Sequence, residues 1–411
     1  MKSRLIKFLL GSLLGLVLAA AALLSIALWI VRATPGEWSE PLRFGPLQMQ
    51  ASVPAMLRMA THPLVLRALE GRTLHTRIGD VQWNAGAQPD SWRAVCAPCT
   101  LQLPAFGADP LRWNRAELSV LRTSQNDFRG EFALGDAPHA VHGPWRAQLV
   151  KGTLELNATL PDTPMADAFA LFTSTIPELQ HAQIEGRIRL AARLRLPSRE
   201  LMLKPQIDGF AVSGLGTESL LTAVPACHGK PSSLQFGRWL PRAVIAAEDQ
   251  RFYEHTGYDS DEMTAAWSGH ATRGASTLSQ QLAKLLYTGD ARSPQRKLRE
   301  LLYAVELDRT LGKARVLSLY LAIAPWGEEQ CGAQAASRHY LHKRPDALTP
   351  TEAAWLASLL HNPDREIEQL AASGQVNTER VGWVIAHLRP LRAEKREALL
   401  AELPAWSPQR R

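Results

Sequence analysis

Cysteine is scarce in this chain of 411 residues, which contains four of them. So few cysteines exclude the disulfide scaffold of small secreted domains. Glycine and proline, with 27 of each, are too few for collagen, and a hydrophobic content of 46% excludes disorder of the whole chain. The remaining class is an ordinary globular protein, and the length predicts about two or three domains that each bury a core.

Acidic residues are fewer than basic residues, 39 against 46, which gives a formal net charge of +7. A basic chain suits an anionic partner such as nucleic acid, a membrane surface or a phosphorylated substrate. Tyrosine is also rare, because the chain has 6 tyrosines against 12 tryptophans. A high share of tryptophan fits work near a membrane without proving it.

Long uncharged runs are few, and the one of membrane-spanning length lies at the N-terminus. Residues 8–31 carry no charge and follow Lys2, Arg4 and Lys7. At about 1.5 Å per residue, a helix of this length measures about 36 Å, enough to cross a hydrocarbon core. The basic residues place the N-terminus in the cytoplasm, so we expect residues 1–33 to be a retained transmembrane helix with the remainder exported. The alternative is a cleaved signal peptide, whose apolar region is usually shorter.

The middle of the chain, residues 34–228, has an apolar period of two. Apolar and polar residues alternate from Val150 to Leu160 and again from Ile184 to Leu196. Strict alternation of this length is typical of half-buried strands. We therefore predict a β-rich exported domain of unknown role, built as an antiparallel sheet or an open β-sandwich.

A stripe of arginines lies on the polar face of the second alternating segment: Arg187, Arg189, Arg193 and Arg195. One interpretation is a solvated sheet face, since charged side chains mostly lie exposed. The other is a surface for anionic lipid headgroups or glycan-linked phosphate. The sequence leaves both open.

The four cysteines comprise one closely spaced pair and two residues far apart in sequence. Cys96 and Cys99 are three residues apart, and in an oxidising compartment they favour a local disulfide over a pair of buried thiols. A zinc site would need a second pair of ligands at suitable spacing, and none is evident. Cys227 and Cys331 can pair only if the fold places them close together.

From about residue 229 the apolar period becomes helical and helix-start signals recur. Ser293 suits an N-cap before a proline, and Gly312 suits the end of that helix. Thr349 and Glu352 have the spacing of a capping box. These signals predict a mainly α-helical domain over residues 229–411, and the whole chain is then an α+β multidomain protein.

Three short clusters follow one another in this helical domain. They are AEDQRFYEHTG with Glu248, Asp249, Phe252, His255 and Gly257; RGASTLSQQLAKLL with Ser276, Thr277, Gln280, Gln281 and Lys284; and ARSPQRKLRE with Arg292, Arg296, Lys297 and Glu300. A fourth segment supplies Lys313 and Tyr320 on a later helix. In order and spacing the clusters resemble the catalytic domain of the peptidoglycan glycosyltransferases, a transglycosylase family with a lysozyme-like fold. The resemblance covers residues 236–365.

The resemblance implies an enzyme that transfers a glycan chain from a polyprenyl pyrophosphate to the 4-hydroxyl of another lipid-linked disaccharide-pentapeptide. The residue types suit this reaction, because a sugar hydroxyl needs a base and a pyrophosphate leaving group needs charge neutralisation. By resemblance Glu248 is the base, and Glu300 is a second carboxylate that assists on the pyrophosphate side. Direct displacement between separated carboxylates predicts inversion.

The same resemblance implies roles for the other residues. Substrate binding is implied for Ser276, Thr277, Gln280, Gln281, Lys284, Arg292, Arg296 and Lys297, and structural support for Asp249, Phe252, His255 and Gly257. A divalent cation, Mg²⁺ or Mn²⁺, is implied with unknown ligands, and no organic cofactor is expected. The expected partners are the lipid-linked precursor, the membrane and other cell-wall synthesis proteins, and not nucleic acid. The expected location is the bacterial inner membrane, with the catalytic domain in the periplasm.

Structural interpretations compete with these roles. Glu248 taken alone could be a surface helix carboxylate, and His255 could be a hydrogen-bonded scaffold residue. Arg296 and Glu300 lie four residues apart, so they could form a routine helix salt bridge. Each of these interpretations is weakened by the order in which the clusters follow one another.

The chain also departs from the family pattern. Ala275 stands where the second motif usually has a glycine, and Leu285 replaces an asparagine. Ser318 and Ala322 replace a glutamate and an asparagine of the fourth motif. The two carboxylates and the cations are retained, so the departures put in question the efficiency or the exact substrate.

Two classes of function remain after this comparison. The favoured one is a membrane-anchored, monofunctional glycan polymerase, because no serine-acylase motif set of a transpeptidase follows the helical domain. The alternative is a non-catalytic envelope factor that binds lipid-linked precursor or lipid. A glycan-cleaving lytic enzyme would share the fold but would leave the cation cluster unexplained.

Overall fold

A computed structural model gives the fold of the chain. It describes residues 25, 29, 32–34, 37–44, 47–86, 88, 91–104, 106–150, 152–227, 230–231, 233–267 and 276–408. The predicted anchor, residues 1–33, lies almost entirely outside these residues. None of the helices that the structure describes is long and apolar enough to cross a membrane.

A β-rich middle region and a helical C-terminal region are both present. The fifteen strands in the part of the chain that the structure describes are β1 (Ser39–Phe44), β2 (Leu47–Ser52), β3 (Thr73–Thr76), β4 (Gly79–Ala85), β5 (Ser91–Cys96), β6 (Cys99–Leu101), β7 (Leu111–Trp113), β8 (Ala116–Arg122), β9 (Asp127–Leu134), β10 (Val141–Val150), β11 (Thr153–Pro164), β12 (Gln183–Leu196), β13 (Glu200–Ser213), β14 (Ala226–Cys227) and β15 (Lys230–Pro231). The mixed fold class is confirmed to this extent, and the transmembrane helix stays a prediction.

The twelve helices of the described residues are α1 (Val53–Ala60), α2 (Pro63–Leu69), α3 (Met165–Ala170), α4 (Trp239–Glu248), α5 (Ser260–Trp267), α6 (Leu278–Ala283), α7 (Pro294–Ile323), α8 (Ala333–Leu341), α9 (Pro350–Ser358), α10 (Pro363–Ser373), α11 (Thr378–His387) and α12 (Ala393–Glu402). The predicted start of α7 is confirmed, whereas Gly312 kinks the helix and the element continues to Ile323. The Ser293 hydroxyl accepts from the backbone N–H of Arg296, and the backbone of Gly312 leaves the helical conformation at φ +71°. The capping box of Thr349 and Glu352 at the start of α9 is confirmed as well.

Two compact units make up the chain, and both are discontinuous in sequence. The first comprises residues 1–100, 113–161 and 190–204, and the second comprises residues 101–112, 162–189 and 205–411. The predicted domain limits, 1–33, 34–228 and 229–411, stay predictions.

The nine-stranded sheet has the order β13-β12-β11-β10-β9-β8-β5-β4-β3. Antiparallel pairing runs from β3 through β4, β5, β8, β9 and β10 to β11. In the first unit the side chains of Phe128, Ala147 and Leu149 are buried together, with Leu57 of α1 packed against them. The sheet is therefore half-buried, as the alternating sequence predicts.

The arginine stripe on β12 is exposed and paired with acidic side chains on the neighbouring strands. Within the first unit Arg193 and Arg195 both reach Glu155. Within the second unit the Arg187 Nε lies 2.5 Å from a carboxylate oxygen of Asp162, and Arg189 bonds Asp208 at 3.0 Å. Opposite charges across strands are the usual pairing of a solvated face, which supports the first interpretation of the stripe.

The second unit is built around one large core. Many of its fully buried side chains come from α4, α6, α7 and α9, among them Leu240, Leu282, Leu307, Leu319 and Leu356. This core fixes α4, α6 and α7 against one another, and these are the helices that carry the three sequence clusters.

Residues 162–189 and 205–222 contribute a second core to this unit. The buried Phe169, Ile176 and Phe210 pack with Leu301 and Leu302 of α7. Glu306 of α7 is fully buried and fixes the second segment near residues 215–217. Its carboxylate accepts from the backbone N–H of Leu215 at 2.9 Å and from the N–H of Thr217 at 3.2 Å. These hydrogen bonds satisfy the buried carboxylate and anchor the chain to α7.

All four cysteines form disulfides, Cys96–Cys99 and Cys227–Cys331. The first confirms the predicted local pair. The second shows that the fold does bring Cys227 and Cys331 together, with Cα atoms 5.6 Å apart.

We expect the two disulfides to contribute unequally to stability, because the loops that they close differ in length. Cys227–Cys331 spans 104 residues, and a cross-link over about 100 residues restricts the unfolded chain by about 3–5 kcal/mol. Cys96–Cys99 spans three residues, and we expect about 2 kcal/mol or less. The measurement is the thermal transition of the helical signal at 222 nm in the Cys227→Ser/Cys331→Ser and Cys96→Ser/Cys99→Ser variants. Equal shifts would contradict the expectation.

Candidate active site

Glu248 is the last residue of α4, a helix whose buried side has no charged residue. Its side chain is 12% exposed, so the carboxylate lies at the edge of the core and can still reach solvent. One carboxylate oxygen accepts from Gln281 Nε2 at 3.0 Å, and the other accepts from Arg380 Nη2 at 3.3 Å. The two donors come from α6 and α11 and fix the plane of the carboxylate.

The Gln281 amide is itself held in one orientation. The Tyr320 hydroxyl donates to Gln281 Oε1 at 2.8 Å, which turns Nε2 toward Glu248. Burial, and next the charge of Glu248, raise the pKa of Tyr320 well above its usual value. The hydroxyl therefore stays protonated and remains a donor. The result is a chain of hydrogen bonds from α7 through α6 to the end of α4.

Asp249 joins the end of α4 to the start of α6. Its carboxylate lies 3.1 Å from His255 Nε2 and accepts from the backbone N–H of Leu278 at 2.9 Å. On the other side of the imidazole, Lys313 Nζ lies 3.3 Å from Nδ1. A charged lysine can only donate, so Nδ1 accepts and Nε2 donates to Asp249. Asp249 and His255 are both buried, and Lys313 lies over the ring of the buried Phe252 at 4.5 Å.

The segment before α6 is held by a capping box. Thr277 Oγ1 accepts from the N–H of Gln280, and the Gln280 side chain accepts from the N–H of Thr277. Both side chains are almost fully buried, and the Thr277 hydroxyl also donates to the carbonyl of Gly257 at 2.6 Å. Gly257 has φ +84°, and a Cβ there would lie 2.5 Å from the carbonyl oxygen of Ala304. The structure thus gives Thr277 and Gln280 a supporting role, and substrate contacts by them stay predictions.

The first turn of α7 carries the predicted cations. Arg296 and Lys297 both contact Glu300, and Lys297 Nζ lies 2.9 Å from Glu300 Oε2 and 2.7 Å from Ser276 Oγ. The Glu300 side chain is only 2% exposed. The helix salt bridge considered from the sequence does form, so Glu300 holds the two cations in place.

The remaining predicted cations lie beside this turn. Lys284 Nζ is 2.6 Å from Asp290 Oδ1, and this pair lowers the pKa of Asp290. Arg292 is exposed and has no ion pair with any carboxylate in the part of the chain that the structure describes. Burial lowers the pKa of Arg296, and the positive charge of Arg292 lowers it further. The basic groups are therefore close enough to repel one another, and an anion placed among them would relieve that repulsion.

A divalent cation is implied at this site by the family resemblance. Such an ion takes several oxygen ligands. Among the described residues no group of three or more His, Cys, Asp or Glu side chains could hold a metal ion. Glu300, the carboxylate at this end of the site, is occupied by Arg296 and Lys297. These side chains do not fit a resident cation, so we derive no step through one, and the ion implied by resemblance stays a prediction.

The structure brings the predicted residues together in two groups that are linked by α6 and its flanks. Gln281 joins Glu248, and Ser276 joins Lys297 and Glu300. Sequence analysis missed Arg380, whose partner Glu248 is 132 residues away, and Tyr320 as an orienting group. A local signal did exist for the capping box, since Thr277 and Gln280 have the threonine-x-x-glutamine spacing. Ala275 lies outside the described residues.

The helical region is similar in sequence to known proteins. A family model described as Transglycosylase matches residues 230–389. The biosynthetic peptidoglycan transglycosylase of Citrobacter koseri is 42% identical over 215 residues, which cover 51% of this chain and 85% of that relative. Those of Klebsiella oxytoca and Nitrosomonas eutropha are 43% identical over 161 residues and 42% identical over 134 residues. The matches cover 38% and 31% of this chain, which spans 66% and 55% of the length of these two relatives.

By class, residues 230–389 are a transglycosylase domain. Within that class, the chain belongs to the biosynthetic peptidoglycan transglycosylase family. The family and the enzyme class predicted from the three clusters are thereby confirmed.

We expect anion binding at α7 to depend on pH through Lys297. Burial first, and then the charges of Arg296 and Lys284, lower the pKa of Lys297 to about 8. The ammonium is charged below that pH and neutral above it, so the affinity for inorganic pyrophosphate should fall as the pH rises from 7 to 9. Calorimetric titration at several pH values measures this. Lys297→Arg keeps its charge throughout, so it should lose the fall above pH 8, and an unchanged profile in that variant would contradict the assignment.

Proposed function

We propose that this protein polymerises peptidoglycan glycan strands from lipid-linked disaccharide-pentapeptide and releases polyprenyl pyrophosphate. The observation that carries the proposal is the position of one oriented carboxylate, Glu248, and one cluster of cations on elements that α6 links together. The printed names of the relatives support the reaction class. The substrate and the leaving group rest on the chemistry that these side chains can perform.

Glu248 acts as the base for the acceptor hydroxyl. Each of its oxygens accepts one hydrogen bond, from Gln281 or from Arg380, and each retains a second lone pair. The 4-hydroxyl of the acceptor sugar gives its proton to one of these lone pairs as its oxygen attacks C1 of the donor. The donor's bond from C1 to the phosphate oxygen breaks at the same time, and attack from the opposite face inverts the configuration at C1.

The cations stabilise the pyrophosphate that leaves with the electron pair of the broken bond. Lys297, Arg296 and Arg292 supply positive charge at the first turn of α7, and guanidinium groups bind phosphate oxygens bidentately. Glu300 keeps Arg296 and Lys297 aimed in one direction, which lowers the reorganisation needed as charge develops. Lys284 joins them when it leaves Asp290 for the substrate.

The membrane also belongs to the proposal. A lipid-linked substrate has to be met at a membrane surface, and the basic and uncharged runs of residues 1–31 supply the matching anchor. The site then works on the exported side of the bacterial inner membrane.

Glu248→Gln should abolish most of the polymerisation without abolishing precursor binding. Glutamine keeps the shape of the side chain but cannot accept the proton, and a positioned base contributes about 10²–10⁴-fold. A glycan-polymer gel assay with detergent-solubilised full chain and lipid-linked disaccharide-pentapeptide measures the rate. Glu394→Gln, an exposed glutamate on α12, is the matched control and should keep the wild-type rate. A Glu248→Gln variant that polymerises at the wild-type rate would refute the assignment.

Lys297→Ala should behave differently, because its charge meets the phosphates in the bound substrate and in the transition state alike. Loss of one charged hydrogen bond should weaken substrate affinity by about 10–100-fold. The KM of the same assay reports the effect, with the exposed Lys395→Ala as control. A wild-type protein that binds precursor but never forms polymer would establish the non-catalytic alternative.

A further inference from the structure

A second cavity of the helical unit lies along α4, and none of the predicted site residues lines it. Its volume is about 960 Å³, and its walls come from one side of α4, from the segment just after that helix, and from His387 and Arg389. Four arginines line it, of which Arg251 is paired with carboxylates and the other three are Arg238, Arg242 and Arg389. None of the three has an ion pair with a carboxylate among the described residues.

The charge of this cavity is strongly one-sided. Its acidic side chain is Glu254, which Arg251 holds at 3.2 Å, while Arg251 also bonds Asp261 at 2.7 Å. Arg251 also contacts Asp259 at 3.3 Å, so this group has more carboxylates than cations, and the positive charge along the cavity comes from the unpaired guanidinium groups. No described side chain caps the first turn of α4, and its free N–H groups add to the same positive end.

The lining is not uniformly polar. Pro241, Ile245 and Ala246 present apolar surface between the arginines, and the ring of Tyr253 is 67% exposed. His387 Nδ1 lies 2.8 Å from the carbonyl oxygen of Trp383, so Nδ1 donates and Nε2 is left for a ligand. A bare phosphate would need none of this apolar surface. A membrane would need a flat patch, whereas this is a cavity. The combination suits a small peptide that carries carboxylates.

The cavity and the candidate base, Glu248, lie along the same helix, α4. α4 has ten residues, about 15 Å of helix, and Glu248 is at one end with Arg238 just before the other. Ala246 and Gln250, on either side of Glu248 in sequence, line the cavity. A ligand whose sugar is held at Glu248 can therefore place a flexible branch along α4.

We propose that this cavity binds the carboxylates of the peptide branch carried by the sugar substrate, with Arg238, Arg242 and Arg389 as the binding groups. The inference rests on the proposed function for the identity of the ligand. It gives the site a means to distinguish a peptide-bearing glycan from a bare one, because only the former gains the charge-assisted hydrogen bonds.

The direct test is equilibrium binding of the water-soluble disaccharide-pentapeptide, without lipid or pyrophosphate, to the detergent-solubilised full chain. We expect saturable binding that weakens about tenfold or more in the Arg238→Gln/Arg242→Gln/Arg389→Gln variant, because several charged contacts are lost. The Arg338→Gln/Arg365→Gln/Lys395→Gln variant removes the same charge from exposed positions outside the cavity and should bind as the wild type does. The probe with amidated carboxylates should bind the wild type as weakly as the intact probe binds the cavity variant.

Two further ligands test whether the cavity binds something other than the peptide branch. If inorganic pyrophosphate or vesicles of anionic phospholipid bind in a way that depends on the three arginines, and the peptide probe does not, the inference is overturned. Equal binding of the probe to wild type and cavity variant also overturns it. The polymer assay separates this result from the proposed function. If polymer forms but the probe does not bind, the inference is wrong and the proposed function stands. If the probe binds but no polymer forms, the proposed function is wrong and the cavity assignment stands.

Discussion

The buried carboxylate of Asp249 is the contact on which the site depends. It accepts from His255 and from the backbone of Leu278, so it ties the end of α4 to the start of α6. Glu248 is its neighbour in sequence and Gln281 lies three residues after Leu278, which places the candidate base opposite its orienting amide. A buried carboxylate needs hydrogen-bond donors; His255 supplies one of them, and Lys313 holds the opposite side of the imidazole.

The cation cluster differs from Asp249, because its charges are only partly offset by their neighbours. Its positive groups are near one another, and burial lowers the pKa of Lys297 and of Arg296. Glu300 offsets part of this repulsion and leaves the remainder for a substrate. Positive charge that is only partly offset stabilises the negative charge that develops as pyrophosphate leaves. The cluster is therefore suited to a pyrophosphate leaving group. The cavity along α4 likewise has positive groups that are not offset, because it combines unpaired arginines with a partly apolar volume.

The sequence could predict what depends on local signals. The N-cap at Ser293, the capping box at Thr349 and the alternation of β12 are encoded within a few residues, and all three are present in the structure. Long-range packing could not be predicted in the same way. The Arg380 contact with Glu248 and the burial of Phe210 beside α7 depend on how distant segments meet. The alternation of the middle region predicted strands, but it carried no information about which segments would pack onto α7.

The account is tested most directly by a double-mutant cycle between Asp249 and Glu248, measured as the rate of glycan polymerisation. If Asp249 serves to place Glu248, Asp249→Asn should lower the rate by about tenfold or more in the wild-type background. In the Glu248→Gln background it should lower the rate no further, because the group that it positions can no longer act. Equal losses in both backgrounds, with thermal stability unchanged, would show that Asp249 acts independently of Glu248 and would contradict the account.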